Sequence, residues 1–149
     1  MEPKTKAMIR VLVVDDSPLM CKILTNIMNC DPHIMVVAVA SNGREAVDFV
    51  PRLKPDLITM DIVMPVMDGL AALREIVRLD PAARVVMVSA LGQEALIADA
   101  IDAGARDFIV KPFQPDRVLR VVQSVLGLDE AFRPVGVRGR PEAPHELAQ

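Results

Sequence analysis

The chain of 149 residues has no tryptophan, no tyrosine and only four phenylalanines. That leaves little to stack on a nucleobase or cover a flat cofactor. It has only two cysteines, Cys21 and Cys30, nine apart around an expected helix and without CxxC or zinc-ligand spacing. Such thiols read as reduced and structural, which makes the expected location cytoplasmic. No apolar run is long enough to span a bilayer, and the opening MEPKTK lacks the apolar region of a signal peptide, so no membrane insertion is expected. Basic charge is also short: the net charge is −3 and no basic stripe is present, which argues against direct nucleic-acid binding. Hydrophobic residues make up 52% of the chain, too many for general disorder, and its length suits one domain with a core able to fold unaided.

What the chain does have is a series of short apolar runs, each ended by a charge or a turn. The most informative stretch, LITMDIVMPVMDG, covers 57–69. Leu57, Ile58, Thr59 and Met60 show no polar alternation, the pattern of a central strand covered on both faces. Pro65 and Asp68-Gly69 then impose a turn, so Asp61 sits where a strand gives way to a loop. In open parallel sheets that edge is where ligands bind.

In chain order, IRVLVV over 9–14 predicts the first strand, ended by Asp15-Asp16-Ser17. Ser17 is suited to cap a helix with Pro18 at its first position. The pairs Leu19/Met20, Ile23/Leu24 and Ile27/Met28 make a stripe at spacing four, expected to face the sheet. Asp31-Pro32 breaks that helix, and IMVVAVA over 34–40 predicts the second strand. Asn42 caps a helix through Glu45, Ala46, Val47 and Val50, expected to end near Pro51. After the central strand a helix runs from Gly69 to about Leu79, with Leu70, Leu73, Ile76 and Val77 inward. RVVMVS over 84–89 is the fourth strand, and a helix over 93–103 ends at Gly104. DFIV over 107–110 is the fifth strand, followed by Lys111-Pro112. The last helix runs from about Pro115 to Leu126, with Val118, Leu119, Val122, Val125 and Leu126 inward. Five strands alternating with five helices imply an α/β fold: a doubly wound, five-stranded parallel sheet with right-handed crossovers. Beyond Gly127, prolines and glycines interrupt Arg133, Arg138 and Arg140, and no apolar periodicity survives. The expected organisation is an N-terminal extension over 1–8, one domain over 9–127, and a disordered tail or linker over 128–149.

The predicted strand ends converge. The first delivers Asp15 and Asp16, the third Asp61, the fourth Ser89 and the fifth Lys111. Each has an ordinary explanation taken singly. Aspartates favour a helix start, serine favours a turn, an isolated lysine is a solvated charge, and Phe108 suits a core. Jointly they point to chemistry. Gathered carboxylates raise one another's pKa unless a cation joins them. A hard divalent ion with oxygen ligands fits, magnesium best and manganese in its place, because magnesium takes one or two carboxylates, keeps waters and holds phosphate. A carboxylate beside a metal, an ammonium and a hydroxyl is equipped to attack a phosphoryl group and hold the acyl phosphate.

VLVVDDS, LITMDIVMPVMDG, VVMVSA and DFIVKPF together resemble the motif set of response-regulator receiver domains, over roughly residues 9 to 127. SALGQEALIADAIDAGARDFIVKPFQPDRV is especially similar to single-domain chemotaxis regulators, and DPHIMVVAVASNGREAVDFV resembles the receiver half of chemotaxis methylesterases. The resemblance implies a flavodoxin-like sheet of strand order 2-1-3-4-5. It implies Asp61 as phosphoryl acceptor, with Mg²⁺ held by Asp15, Asp16, Asp61 and the backbone carbonyl of Val63. Ser89 and Lys111 would bind the phosphoryl oxygens, Pro112 would be a cis-proline aiming Lys111, and Phe108 would be the aromatic switch. Where the family often has Tyr, Phe108 offers no hydroxyl, so its switch is a packing change. Val63 and Leu91 flank the family's path for hydrolytic water; both are apolar and cannot orient it, which implies slow dephosphorylation and a separate phosphatase.

The function so implied is a phospho-acceptor signalling module, not an enzyme in the ordinary sense, taking its phosphoryl group from a sensor histidine kinase. It would switch the face of the fourth helix, fifth strand and fifth helix for a protein target in chemotaxis or motility. The alternative is the receiver fragment of a larger regulator, with a methylesterase or DNA-binding effector beyond it. Two enzyme or cofactor readings fit worse. Haloacid-dehalogenase-type phosphatases place a second Asp two residues after the nucleophile, where this chain has Val63. A flavodoxin needs a Ser/Thr-rich phosphate loop after the first strand and an aromatic cover for the flavin, and neither is present.

Overall fold

The computed structural model of the chain describes residues 8–127. Except for Met8, the expected N-terminal extension lies outside the described residues, as does the expected tail or linker over 128–149. The described residues form β1 (Ile9–Val14), α1 (Pro18–Asn29), β2 (Ile34–Ala40), α2 (Gly43–Leu53), β3 (Leu57–Asp61), α3 (Gly69–Leu79), β4 (Val85–Ser89), α4 (Glu94–Ala103), β5 (Asp107–Val110) and α5 (Pro115–Leu126). The strands make one parallel sheet of order β2-β1-β3-β4-β5, as the resemblance implied.

Strand alternation sends neighbouring residues to opposite faces, and the core divides accordingly. Leu12, Val14, Ile58, Met60 and Met87 pack toward α2, α3 and α4. Val11, Val13, Leu57, Val86 and Ile109 pack toward α1 and α5. All five residues of β3 and all five of β4 are buried, which is why neither strand shows polar alternation. The register of β1 on β2 slips between Val11 and Leu12, leaving Val37 without a partner in the ladder.

The helix starts follow their caps. Ser17 Oγ accepts from the Met20 amide at 3.2 Å, Asn42 Oδ1 from Glu45 at 2.9 Å and Asp68 Oδ1 from Ala71 at 2.8 Å. Several expectations need correction. In α1 the buried residues are Cys21, Leu24, Ile27 and Met28, while Leu19 and Ile23 are exposed: the helix is rotated from the expected stripe, and Cys21 takes an inward place. In α5 the inward set includes Val121, with Leu119, Val125 and Leu126 only partly buried. α2 runs on to Leu53 with Pro51 inside its last turn, and the chain turns away at Lys54, whose φ is 49°. β4 begins at Val85, and Gln93 sits at the N-cap of α4, not within it. Among the described residues no helix is long and apolar enough to cross a membrane.

Candidate functional site

The sheet order reverses direction between β1 and β3, and the crevice beyond their carboxyl ends is the general ligand position of such sheets. This chain puts its acids there. Asp15 follows β1 and Asp61 closes β3; one oxygen from each of Asp15, Asp16 and Asp61 lies within 4.8 Å of the others. Asp15 is 2% exposed and Asp61 8%, whereas Asp16 is open to solvent.

Each buried acid is fixed by local backbone. Asp15 Oδ1 accepts from the Ser17 amide at 2.9 Å, and its own amide donates to the Ala40 carbonyl at 3.0 Å. Its carbonyl accepts from the Cys21 thiol at 3.3 Å, a role that required the unexpected rotation of α1. Burial, more than the neighbouring acids, pushes the Cys21 thiol up to about 11, so it stays protonated as that donor. Asp61 Oδ1 accepts from the Ile62 amide at 2.9 Å. Lys111 Nζ stands 3.4 Å from Asp15 Oδ2 and 3.5 Å from Asp61 Oδ1, so one ammonium is divided between two carboxylates. Lys111 is itself set by β4 and β5, because its amide donates to the Ser89 carbonyl at 2.7 Å. The Lys111-Pro112 peptide bond is cis, as the resemblance implied.

The charge balance of this group is unfavourable. Asp61 holds its proton above the ordinary carboxylate range, first because it is buried and second because Asp15 faces it; Lys111 and the Ile62 amide only partly oppose this. Three carboxylates against one ammonium leave a cluster that a small divalent cation with oxygen ligands would balance. The open side at Asp16 leaves room for the waters magnesium retains. The donor set therefore fits such an ion.

The turn after Asp61 depends on one glycine. Gly69 donates its amide to the Ile62 carbonyl at 2.7 Å, and a Cβ there would stand 2.0 Å from the Asp61 carbonyl oxygen. Only glycine permits that approach. Ser89 closes β4 and is buried. Together with Leu91, Ile97, Phe108 and Val110 it lines a mainly apolar cavity of about 130 Å³. Val63 and Leu91, on the loops after β3 and β4, are 58% and 75% exposed. Sequence reasoning brought Asp15, Asp16, Asp61, Ser89 and Lys111 to one edge and the structure does the same. It missed Cys21 as a tether and Gln93, whose Oε1 accepts from the Ala90 amide at 2.7 Å. Neither carries a sequence signal, because each bond depends on how a turn folds back.

A family model described as the response regulator receiver domain matches residues 11–123. The chemotaxis protein CheY of Listeria monocytogenes is 51% identical over 116 residues, covering 78% of this chain and 97% of that protein. Among solved structures, the response regulator domain of Thermotoga maritima CheB aligns with a TM-score of 0.72 and 39% identity, covering 83% of this chain and 96% of that one. The CheX–CheY–BeF3–Mg complex from Borrelia burgdorferi contains a chain that aligns with a TM-score of 0.74 and 42% identity, covering 78% of this chain and 87% of that one.

Proposed function

This chain belongs to the response-regulator receiver family and is of the chemotaxis CheY type, a signalling module and not a conventional enzyme; from that premise we propose that Asp61 accepts a phosphoryl group from a histidine kinase and so switches the α4–β5–α5 face toward a protein target. The observation that carries the proposal is the meeting of Asp15, Asp16 and Asp61 within 4.8 Å, with one lysine shared between the two buried acids.

In the proposed transfer an Asp61 carboxylate oxygen attacks the phosphorus of a phosphohistidine. A P–O bond forms, the P–N bond breaks, and the imidazole leaves with its electron pair. Burial and Asp15 raise the basicity of the attacking oxygen. Asp15, Asp16 and Asp61, with the Val63 carbonyl, would hold Mg²⁺ or Mn²⁺, which neutralises charge on the transferring group. Lys111 then pairs with one phosphoryl oxygen and the Ser89 hydroxyl donates to another. Phosphorylation can shift the two states only through such differential contacts. As Ser89 is drawn to the phosphoryl group, Phe108 follows into the cavity beside it, a change of packing alone.

Mg²⁺ and a small phosphodonor should give an acid-stable, base-labile adduct of one phosphoryl group by intact mass, lost with a chelator and in Asp61→Asn. A folded wild-type chain without the adduct overturns the assignment. The exposed, apolar Val63 and Leu91 cannot orient a hydrolytic water. We expect slow self-dephosphorylation and a separate phosphatase partner; the Borrelia relative is solved with a partner, CheX. Replacing both residues with polar ones should change the decay of the adduct by up to about a hundredfold, the lower end of general acid–base effects, followed by mass over time. An unchanged decay would show that they only pack.

A further inference from the structure

We propose that Gln93 is a latch: it holds the β4–α4 loop in the resting form by occupying the Ala90 amide, and a phosphoryl group on Asp61 releases it by taking that amide over. The proposal rests on Asp61 as the acceptor. Gln93 stands at the N-cap of α4, a position where Ser, Thr, Asp or Asn ordinarily accepts from the first turn of its own helix. In α1, α2 and α3 the cap residues Ser17, Asn42 and Asp68 do so, whereas Gln114 at the start of α5, like Gln93, does not. Gln93 makes no such bond. Its side chain turns back, and Oε1 accepts from the Ala90 amide at 2.7 Å, closing residues 90–93 into a ring. What sets Gln93 apart from Gln114 is that its side chain is bonded back into its own loop.

The amide Gln93 occupies is placed where a phosphoryl group would need it. Ala90 follows Ser89, and β4 lies beside β3 with Val88 paired to Asp61, so the Ala90 amide and the Asp61 carboxylate share one edge. A phosphoryl group brings three acceptor oxygens there, while Lys111 is already divided between Asp15 and Asp61. A bond from N–H to an anionic oxygen is roughly twice as strong as one to a neutral amide oxygen, so the phosphoryl group wins the competition. The loop has the freedom to respond, since Gly92, at φ 90°, has no neighbour within 4 Å of an added Cβ. Gln93 also lines the cavity with Leu91 and Phe108, so its release frees the wall into which Phe108 moves. Gln93 is a positioning residue, acting through Ala90.

The test uses the full chain and three substitutions at this position. In Gln93→Met the shape is kept and the acceptor lost; in Gln93→Glu the acceptor stays. Ala90 amide exchange, read by NMR without phosphodonor, should be protected in the wild type and in Gln93→Glu, and about fivefold faster in Gln93→Met, which lacks that bond. With acetyl phosphate and Mg²⁺, Gln93→Met should acquire the adduct about fivefold faster than the wild type, the worth of one neutral hydrogen bond. Gln93→Glu should be no faster, and Gln93→Ala must behave as Gln93→Met. A merely structural role would slow all three. Equal rates in the wild type and Gln93→Met, or unchanged Ala90 exchange, would overturn the latch alone. No adduct on the wild type would overturn the acceptor assignment instead.

Discussion

Asp61 sits where its own charge is disfavoured, and this has a consequence for stability. At low pH both folded and unfolded chains carry the proton. As pH rises the unfolded chain gives it up first, because the folded chain holds it to a higher pH. The stability contributed by this group is therefore present in acid, declines as pH rises through the raised value, and is flat above it. Asp61→Asn keeps the shape and removes the charge. Without Mg²⁺ it should be more stable than the wild type at pH 7 by about 1 kcal/mol, the scale of relieving one buried like-charge contact. The gain should vanish in acid. Urea denaturation at several pH values reads both, and equal stability at pH 7 would mean that Lys111 already offsets the repulsion. At this scale the sequence was legible wherever a polar residue closes an unbroken apolar run, as Asp61 closes LITM and Ser89 closes VVMV. It was opaque where a side chain reaches a backbone atom across a turn, as Cys21 does to Asp15 and Gln93 to Ala90.

Elements were legible to the extent that length and punctuation define them. β1, β2, β5, α3 and α5 begin and end where the apolar runs and caps placed them. Helix faces were harder. In α1 the apolar pairs at spacing four are compatible with more than one rotation, and contact with α5 and the sheet selects Leu24, Ile27 and Met28. Cys21 joins them because a thiol behaves as a small hydrophobe when buried. The element most exposed to a single change is the β3–α3 connection. Gly69→Ala would drive a methyl group into the Asp61 carbonyl, against backbone that has no rotamer by which to yield. It should cost about 3 kcal/mol or more and abolish the Mg²⁺-dependent adduct together. Urea denaturation with intact-mass assay reads both; a stable, phosphorylated Gly69→Ala chain would refute the account of this turn.

At the scale of the whole molecule, two opposed charges have to be reconciled: a fold that concentrates acids at one edge of its sheet, and a single ammonium there. A bound cation would offset the excess and stabilise the folded chain by mass action. At a hundredfold excess over the dissociation constant that is about 2.7 kcal/mol, or roughly 5 °C or more in Tm for a domain of this size. Thermal melts with Mg²⁺ and with a chelator should differ by that amount in the wild type and little in Asp15→Asn. Equal melts in the wild type would remove the metal from the site. The strand order itself was legible only through resemblance, since five alternating units are compatible with several parallel orders.

Lys111 is 96 residues from Asp15 and 50 from Asp61 along the chain. During synthesis, then, the two acids emerge well before the cation that joins them, and at ribosomal rates that interval lasts seconds. A nascent chain therefore carries its aspartates before the ammonium that partly balances them, and the edge of the sheet is complete only once the last strand and the residue after it are in place.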